Sequence, residues 1–89
     1  MKSRVTRRFR ELFAALPAHA RRQAKEAYRL LRQNSRHPGL HFKQAYKDPP
    51  IYSARVGIGY RAVAVIDGGE AIWFWIGTHA EYNKLLETL

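Results

Sequence analysis

Two arginines, a histidine and a tyrosine are spaced so that they could act together on a phosphate. Arg55 and Arg61 flank Gly57-Ile58-Gly59 within the run from Tyr52 to Ile66. That run reads as two strands joined by a Gly-punctuated turn. A three-residue loop sets the arginines opposite each other on one face, and a two-residue loop sets them on opposite faces. Two like charges side by side are unfavourable unless an anion lies between them, and the guanidinium fork suits phosphate. In the plainer reading each arginine pairs with an acid, or stacks on Tyr60 or a tryptophan.

His79 falls at the first turn of a predicted final helix, just after the strand expected beside Arg61. A histidine there can donate or accept a proton near neutral pH. Taken alone, it would be a surface residue beside a helix cap. Tyr82 lies three residues on, along the same helical side. Its spacing with Leu85, Leu86 and Leu89 favours burial, although a tyrosine at a sheet edge can also stack on a base. His41 and Lys43 alternate on a predicted strand and can reach one face, which makes them weaker candidates for phosphate contact. His19 and His37 have no acid or histidine at ligand spacing, and the chain has no cysteine. No metal site or disulfide frame is therefore expected. Gly57-Ile58-Gly59 joins two strands and lacks the strand-to-helix context of a phosphate loop. No Ser-His-Asp arrangement is visible.

Charge points to the same class of ligand. Residues 1–47 hold 13 Lys/Arg against Glu11 and Glu26, and residues 48–89 hold three against five acids, giving +11 and −2. An asymmetry of this kind is either a solvated basic helical surface or a footprint for nucleic acid or an acidic protein. With 89 residues and 46% apolar content, one domain with a modest core is expected. No apolar run is long enough to span a bilayer, and Met1-Lys2-Ser3-Arg4 lacks the apolar stretch of a secretion signal. The expectation is a cytoplasmic protein with no membrane partner.

The elements that must position these residues follow from periodicity. Thr6 is a plausible N-cap for a helix carrying Phe9, Leu12, Phe13 and Leu16 at helical spacing. Pro17 breaks it and starts a second helix to about Gln33, with Ala20, Ala24, Ala27, Tyr28 and Leu31 as its apolar stripe. Residues 34–40 read as a connector. The period then changes to two, with strands predicted over 41–46, 51–56, 60–66 and 71–76. The last is nearly all apolar and is expected to be central. Asp48-Pro49-Pro50 and Asp67-Gly68-Gly69-Glu70 supply turns. Thr78 and Glu81 fit a capping box that opens the final helix. Lys2 to Val5 could pair as a short edge strand, a signal too short to decide. The sum is an α+β domain, a helical hairpin on a twisted antiparallel sheet of three or four strands with a short C-terminal helix. The far sheet face, with Ser53, Arg55 and in one register Arg61, is expected to be solvated, concave and basic.

Several segments in this order resemble the RelE/ParE superfamily of bacterial toxins. They are Leu16-Pro17 between two helices, the run from Asn34 to Leu40, the run from Tyr52 to Arg61, and the run from Trp73 to Tyr82. The resemblance spans almost the whole chain and implies the RelE-like fold in a toxin made beside an antitoxin. For the RelE-like branch it implies an mRNA endonuclease that works on the ribosome with no metal or cofactor, by attack of the ribose 2′-OH on the adjacent phosphate. Basic residues on the open sheet face then stabilise the transition state. On this resemblance Arg61 matches the arginine that contacts the scissile phosphate. Arg55 matches a strand lysine, and Ser53 stands where a second lysine would be. His79 falls where some members carry a C-terminal arginine, and Tyr82 approximates a tyrosine that stacks on RNA. The implied catalytic set is Arg55, Arg61 and His79, with His41, Lys43, Ser53 and Tyr82 as RNA contacts. The alternatives are the ParE-like branch, which targets DNA gyrase and needs no such site, and a catalytically weak member that acts only by binding. In the toxin readings the expected partner is an acidic antitoxin segment covering the basic helices or the sheet face, most simply as an amphipathic helix in a groove.

Overall fold

In the computed structural model, which describes residues 2–89, nine elements follow one another. They are β1 (Lys2–Val5), α1 (Arg7–Ala14), α2 (Ala18–Gln33), a single 3-10 turn (Pro38–Leu40), β2 (Lys43–Tyr46), β3 (Ile51–Val56), β4 (Tyr60–Asp67), β5 (Glu70–Thr78) and α3 (His79–Glu87). Met1, the first residue of the basic N-terminal tetrapeptide, lies outside the described residues.

Local chemistry sets the helix boundaries. The Thr6 hydroxyl accepts a hydrogen bond from the Phe9 amide at 3.1 Å, satisfying one of the free donors of the first turn of α1. Pro17 stands just before α2, and an Arg21 guanidinium nitrogen donates to the carbonyl of Leu16 at the break. Thr78 and Glu81 form the reciprocal box at α3: the Glu81 amide donates to the Thr78 hydroxyl at 3.2 Å, and the Glu81 carboxylate accepts from the Thr78 amide at 2.9 Å.

The sheet order is β1-β5-β4-β3-β2. β2, β3, β4 and β5 pair antiparallel as expected. The α+β layout thus gains a fifth strand, because Lys2–Val5 pairs in parallel with Glu70–Trp73. β5 is interior, in keeping with its apolar run, but the middle strand is β4. A bulge breaks the β4–β5 register, with Val63 opposite Trp75 and Ala64 opposite Trp73, so Phe74 is the extra residue. Phe74 and Trp75 consequently both pack on one side of the sheet, while Trp73 and Ile76 pack on the other.

The alternation along β3 and β4 divides the protein into two cores. Ala54, Val56, Ala62 and Ala64 meet Phe9, Leu12, Phe13, Ala24 and Leu31 of the helical hairpin. On the other face, Ile51 and Val63 meet Tyr82, Leu85 and Leu86 of α3. This corrects the expectation of an open, solvated far face. The apolar positions of α3 need a surface to cover, and the helical hairpin already occupies the opposite one.

Candidate functional site

The β3–β4 loop is three residues long, so Arg55 and Arg61 are direct cross-strand partners and share a face. Their environments differ. Arg61 is only 6% exposed and Ser53 is fully buried. The Arg61 Nη2 donates to the Ser53 hydroxyl at 2.7 Å and to the His41 carbonyl at 3.4 Å. Its guanidinium lies 5.1 Å from the centre of the Tyr82 ring, a cation–π contact. The Tyr82 hydroxyl donates to the same Ser53 oxygen at 3.1 Å. The Arg61 Nε is buried with no partner, and no carboxylate among the described residues pairs with this arginine. Neither Ser53 nor Arg61 forms part of the solvated surface expected from the sequence. Tyr82 at 6% exposure resolves toward burial, its ring facing a guanidinium.

The hairpin loop organises the rest of the site. Arg55 is half-buried and its Nε donates to the carbonyl of Gly57 at 3.0 Å. The amide of His79 donates to the carbonyl of Gly59 at 2.9 Å. One short loop therefore restrains the Arg55 side chain through one glycine and the start of α3 through the other. The His79 ring is exposed and lies 5.9 Å from that of Tyr82. Two residues further on, Glu81 has its carboxyl held below the usual carboxylate range, first by the Thr78 amide, then by the Thr78 hydroxyl, with a smaller contribution from Lys84.

Lys43 is exposed and is the register partner of Ser53. It thus sets an ammonium on the neighbouring strand beside the position where the resemblance implies a lysine. His41 departs from expectation. It precedes β2, in the left-handed conformation with φ 44° at the end of the 3-10 turn. The Pro38-Gly39 turn carries the chain past the point where a strand could begin. His41 therefore meets the site through its carbonyl, while its side chain is solvent-exposed. Arg55, Arg61, Ser53, Tyr82 and His79 are brought together, Lys43 stands at their edge, and the His41 imidazole is not among them.

Gln23 was not singled out by sequence reasoning. Its amide group covers Gly57, where an added Cβ would meet it at 2.5 Å, and Gly57 has φ +60°. Nothing in the pattern of α2 distinguishes Gln23 from a solvated polar residue. On the helical side, an apolar cleft of about 220 Å³ opens between α1 and α2, lined by Phe9, Phe13, Tyr28, Leu31 and Trp73, with Lys25 at its edge. Tyr28 is 43% exposed, so it belongs to this cleft more than to the core stripe expected of it.

A family model described as the ParE-like toxin domain matches residues 18–84. No curated protein sequence matches the chain. Among solved structures, a chain of the RelB–RelE antitoxin–toxin complex from Methanococcus jannaschii is similar, with 21% identity and a TM-score of 0.66 over 91% of this chain and 95% of that one. A copper-bound mutant toxin from Helicobacter pylori is similar at 17% identity and a TM-score of 0.63, covering 91% of this chain and 97% of that one. A conserved hypothetical protein from the same organism follows at 16% and 0.61, covering 90% and 96%.

Proposed function

Because the chain belongs to the ParE-like toxin domain family, we propose that it is the toxin of a type II toxin–antitoxin pair and that its sheet face acts on RNA. In this reading it cuts translated messages on the ribosome, in the cytoplasm. The observation that carries the reading is Arg61, a guanidinium with 6% exposure, an unpaired Nε and no carboxylate beside it. Withdrawing a cation from water costs several kcal/mol unless an opposite charge compensates it. Facing it across the hairpin is a second arginine, which raises that cost in the absence of an anion. A phosphodiester seated on the half-buried Arg55 offsets both, with the Arg61 charge acting on it from just beneath the surface.

The chemistry that fits is attack of a ribose 2′-oxygen on the adjacent phosphorus. The 2′-O–P bond forms and the P–O5′ bond breaks, leaving a 2′,3′-cyclic phosphate and a free 5′-hydroxyl. One proton leaves the 2′-OH and one reaches the departing 5′-oxygen. His79 performs one of these transfers and water the other, imidazole being suited to either at neutral pH. Arg55 and Arg61 stabilise the negative charge that grows on the non-bridging oxygens. Lys43 contacts a flanking phosphate and supplies the cation that Ser53 does not. Ser53 and Tyr82 hold the Arg61 guanidinium in place.

The partner is an acidic antitoxin segment seated on the helical hairpin. The cleft between α1 and α2 supplies apolar lining, and Lys25, Arg29 and Arg32 lie at or next to its Tyr28 edge. An amphipathic helix with acidic flanks matches both features. A second reading, inhibition of DNA gyrase or another target by contact alone, is favoured by the low exposure of Arg61 and Tyr82, since in that reading neither side chain has to meet a ligand. Inducing the protein alone in a bacterial host and mapping message ends separates the two. Cuts within translated messages, abolished by Arg61→Met, are the expected outcome. Growth arrest with DNA-damage signalling and intact messages would select the gyrase reading.

A further inference from the structure

Ile58 is 86% exposed, about twice the exposure of any other large apolar side chain among the described residues. A lone exposed apolar residue ordinarily needs no explanation. Ile58 differs because the loop that presents it is fastened on three sides by the site. The carbonyl before it accepts from Arg55, the carbonyl after it accepts from the His79 amide, and the Gln23 amide group covers Gly57. A β-branched apolar tip is thus held rigidly at the end of the hairpin whose strands carry both arginines.

We infer that Ile58 is a wedge that enters between two bases of the bound RNA strand and unstacks them at the step to be cut. The inference rests on the RNA-cutting reading above and adds a positioning residue that neither the resemblance nor the charge pattern supplies. The ligand follows from the surroundings. The groups next to the tip are Arg55 and the exposed His79, so a strand that places its phosphate on Arg55 and Arg61 carries its bases past the loop. Apolar side chains inserted between base steps are an established way to open a stack. Opening is useful here because the 2′-oxygen, the phosphorus and the 5′-oxygen must come roughly into line. A stacked strand keeps them out of line, and turning one base away frees the ribose to rotate. Ile58 contributes to this turn through shape and apolarity, with no charge or proton of its own.

The test compares the parent, Ile58→Ser and Ile58→Leu on ribosomes programmed with messages whose exposed codon is purine-rich or uridine-rich. Uridine steps stack weakly and need little help. Ile58→Ser is expected to lower the maximal cutting rate on the purine codon on the order of tenfold, leaving KM and the uridine codon nearly unchanged. Ile58→Leu is expected to restore the rate. The unfolding midpoint should stay constant, since the side chain packs on almost nothing. Equal rates for the parent and Ile58→Ser on both codons would overturn the wedge while leaving the nuclease intact. Unchanged cutting with weakened antitoxin binding would likewise overturn it and assign Ile58 to that interface. A parent protein that cuts neither message would remove the nuclease reading and the wedge with it.

Discussion

Holding a guanidinium away from water without a carboxylate costs several kcal/mol, and Arg61 offsets this with a serine hydroxyl, a backbone carbonyl and the face of one tyrosine. A methionine has similar reach and no charge to desolvate, so Arg61→Met should fold at least as stably, by roughly 1 kcal/mol, in urea unfolding. The same substitution should reduce message cleavage by roughly 10²–10³-fold, the usual cost of removing one donor that faces developing negative charge. Stability and activity moving in opposite directions would mark a residue kept for its ligand. Ser53→Ala tests the support of that residue. It strands the Tyr82 hydroxyl and leaves the Arg61 Nη2 with only its longer bond to the His41 carbonyl, and is expected to cost roughly 2 kcal/mol in the same measurement. The sequence left the facing of Arg55 and Arg61 as one of two alternatives, and the register of β3 with β4 decides for the three-residue loop. The burial of Arg61 was not legible in the sequence, because it depends on Tyr82 arriving from a helix on the far side of the sheet. Strand alternation alone assigns a face without saying what covers it.

At the level of elements, α3 links helix capping to the site, since its first residue is His79 and its fourth is Tyr82. Thr78→Ala removes the acceptor for the Glu81 amide and should destabilise the protein by about 1 kcal/mol, read as a lower urea midpoint. The box also carries a pH dependence. The Glu81 carboxyl is held below its unfolded value by its bonds to Thr78, so its contribution is fully present above the ordinary carboxylate range. That contribution fades as pH falls from the ordinary carboxylate range through the depressed folded value, because the unfolded chain binds the proton first and is stabilised by it. Glu81→Gln should flatten that acidic limb of the stability profile by lowering the neutral plateau toward the acidic value, a small effect because the carboxylate is exposed. Both caps at Thr6 and Thr78, the break at Pro17 and the period-two strands could be read directly from local residue chemistry. β1 could not, because four residues carry no periodicity and its pairing is set by Glu70–Trp73, nearly seventy residues away in sequence. The bulge at Phe74 was hidden for the same reason. A continuous apolar run does not reveal which residue is extra, and only the register with β4 does so.

Across the whole molecule, the sheet separates two surfaces that net charge alone would merge. The helical hairpin and its apolar cleft lie on one face, and Arg55, Arg61 and α3 lie on the other. Under the proposed function both faces meet anions, so both antitoxin and RNA association should weaken as salt rises from about 50 to about 200 mM, the range over which phosphate-dependent binding falls steeply. Salt therefore cannot distinguish the faces, and substitution can. Tyr28 is exposed at the edge of the cleft and touches no residue of the sheet-face site, while Arg61 is shielded from the cleft by the sheet itself. Residues this far apart with no shared partner contribute independently. Tyr28→Ala should weaken antitoxin binding by roughly 1–2 kcal/mol, as expected for an aromatic anchor at the edge of an interface, and leave message cleavage unchanged. Arg61→Met should reduce cleavage by roughly 10²–10³-fold and leave antitoxin affinity within about twofold. Calorimetric titration of each variant with the antitoxin, set beside cleavage on programmed ribosomes, gives both readouts. A variant that loses both activities together would mean that the antitoxin reaches around the sheet edge to the arginine pair. Neutralisation of the toxin would then be direct competition with RNA for the same cations.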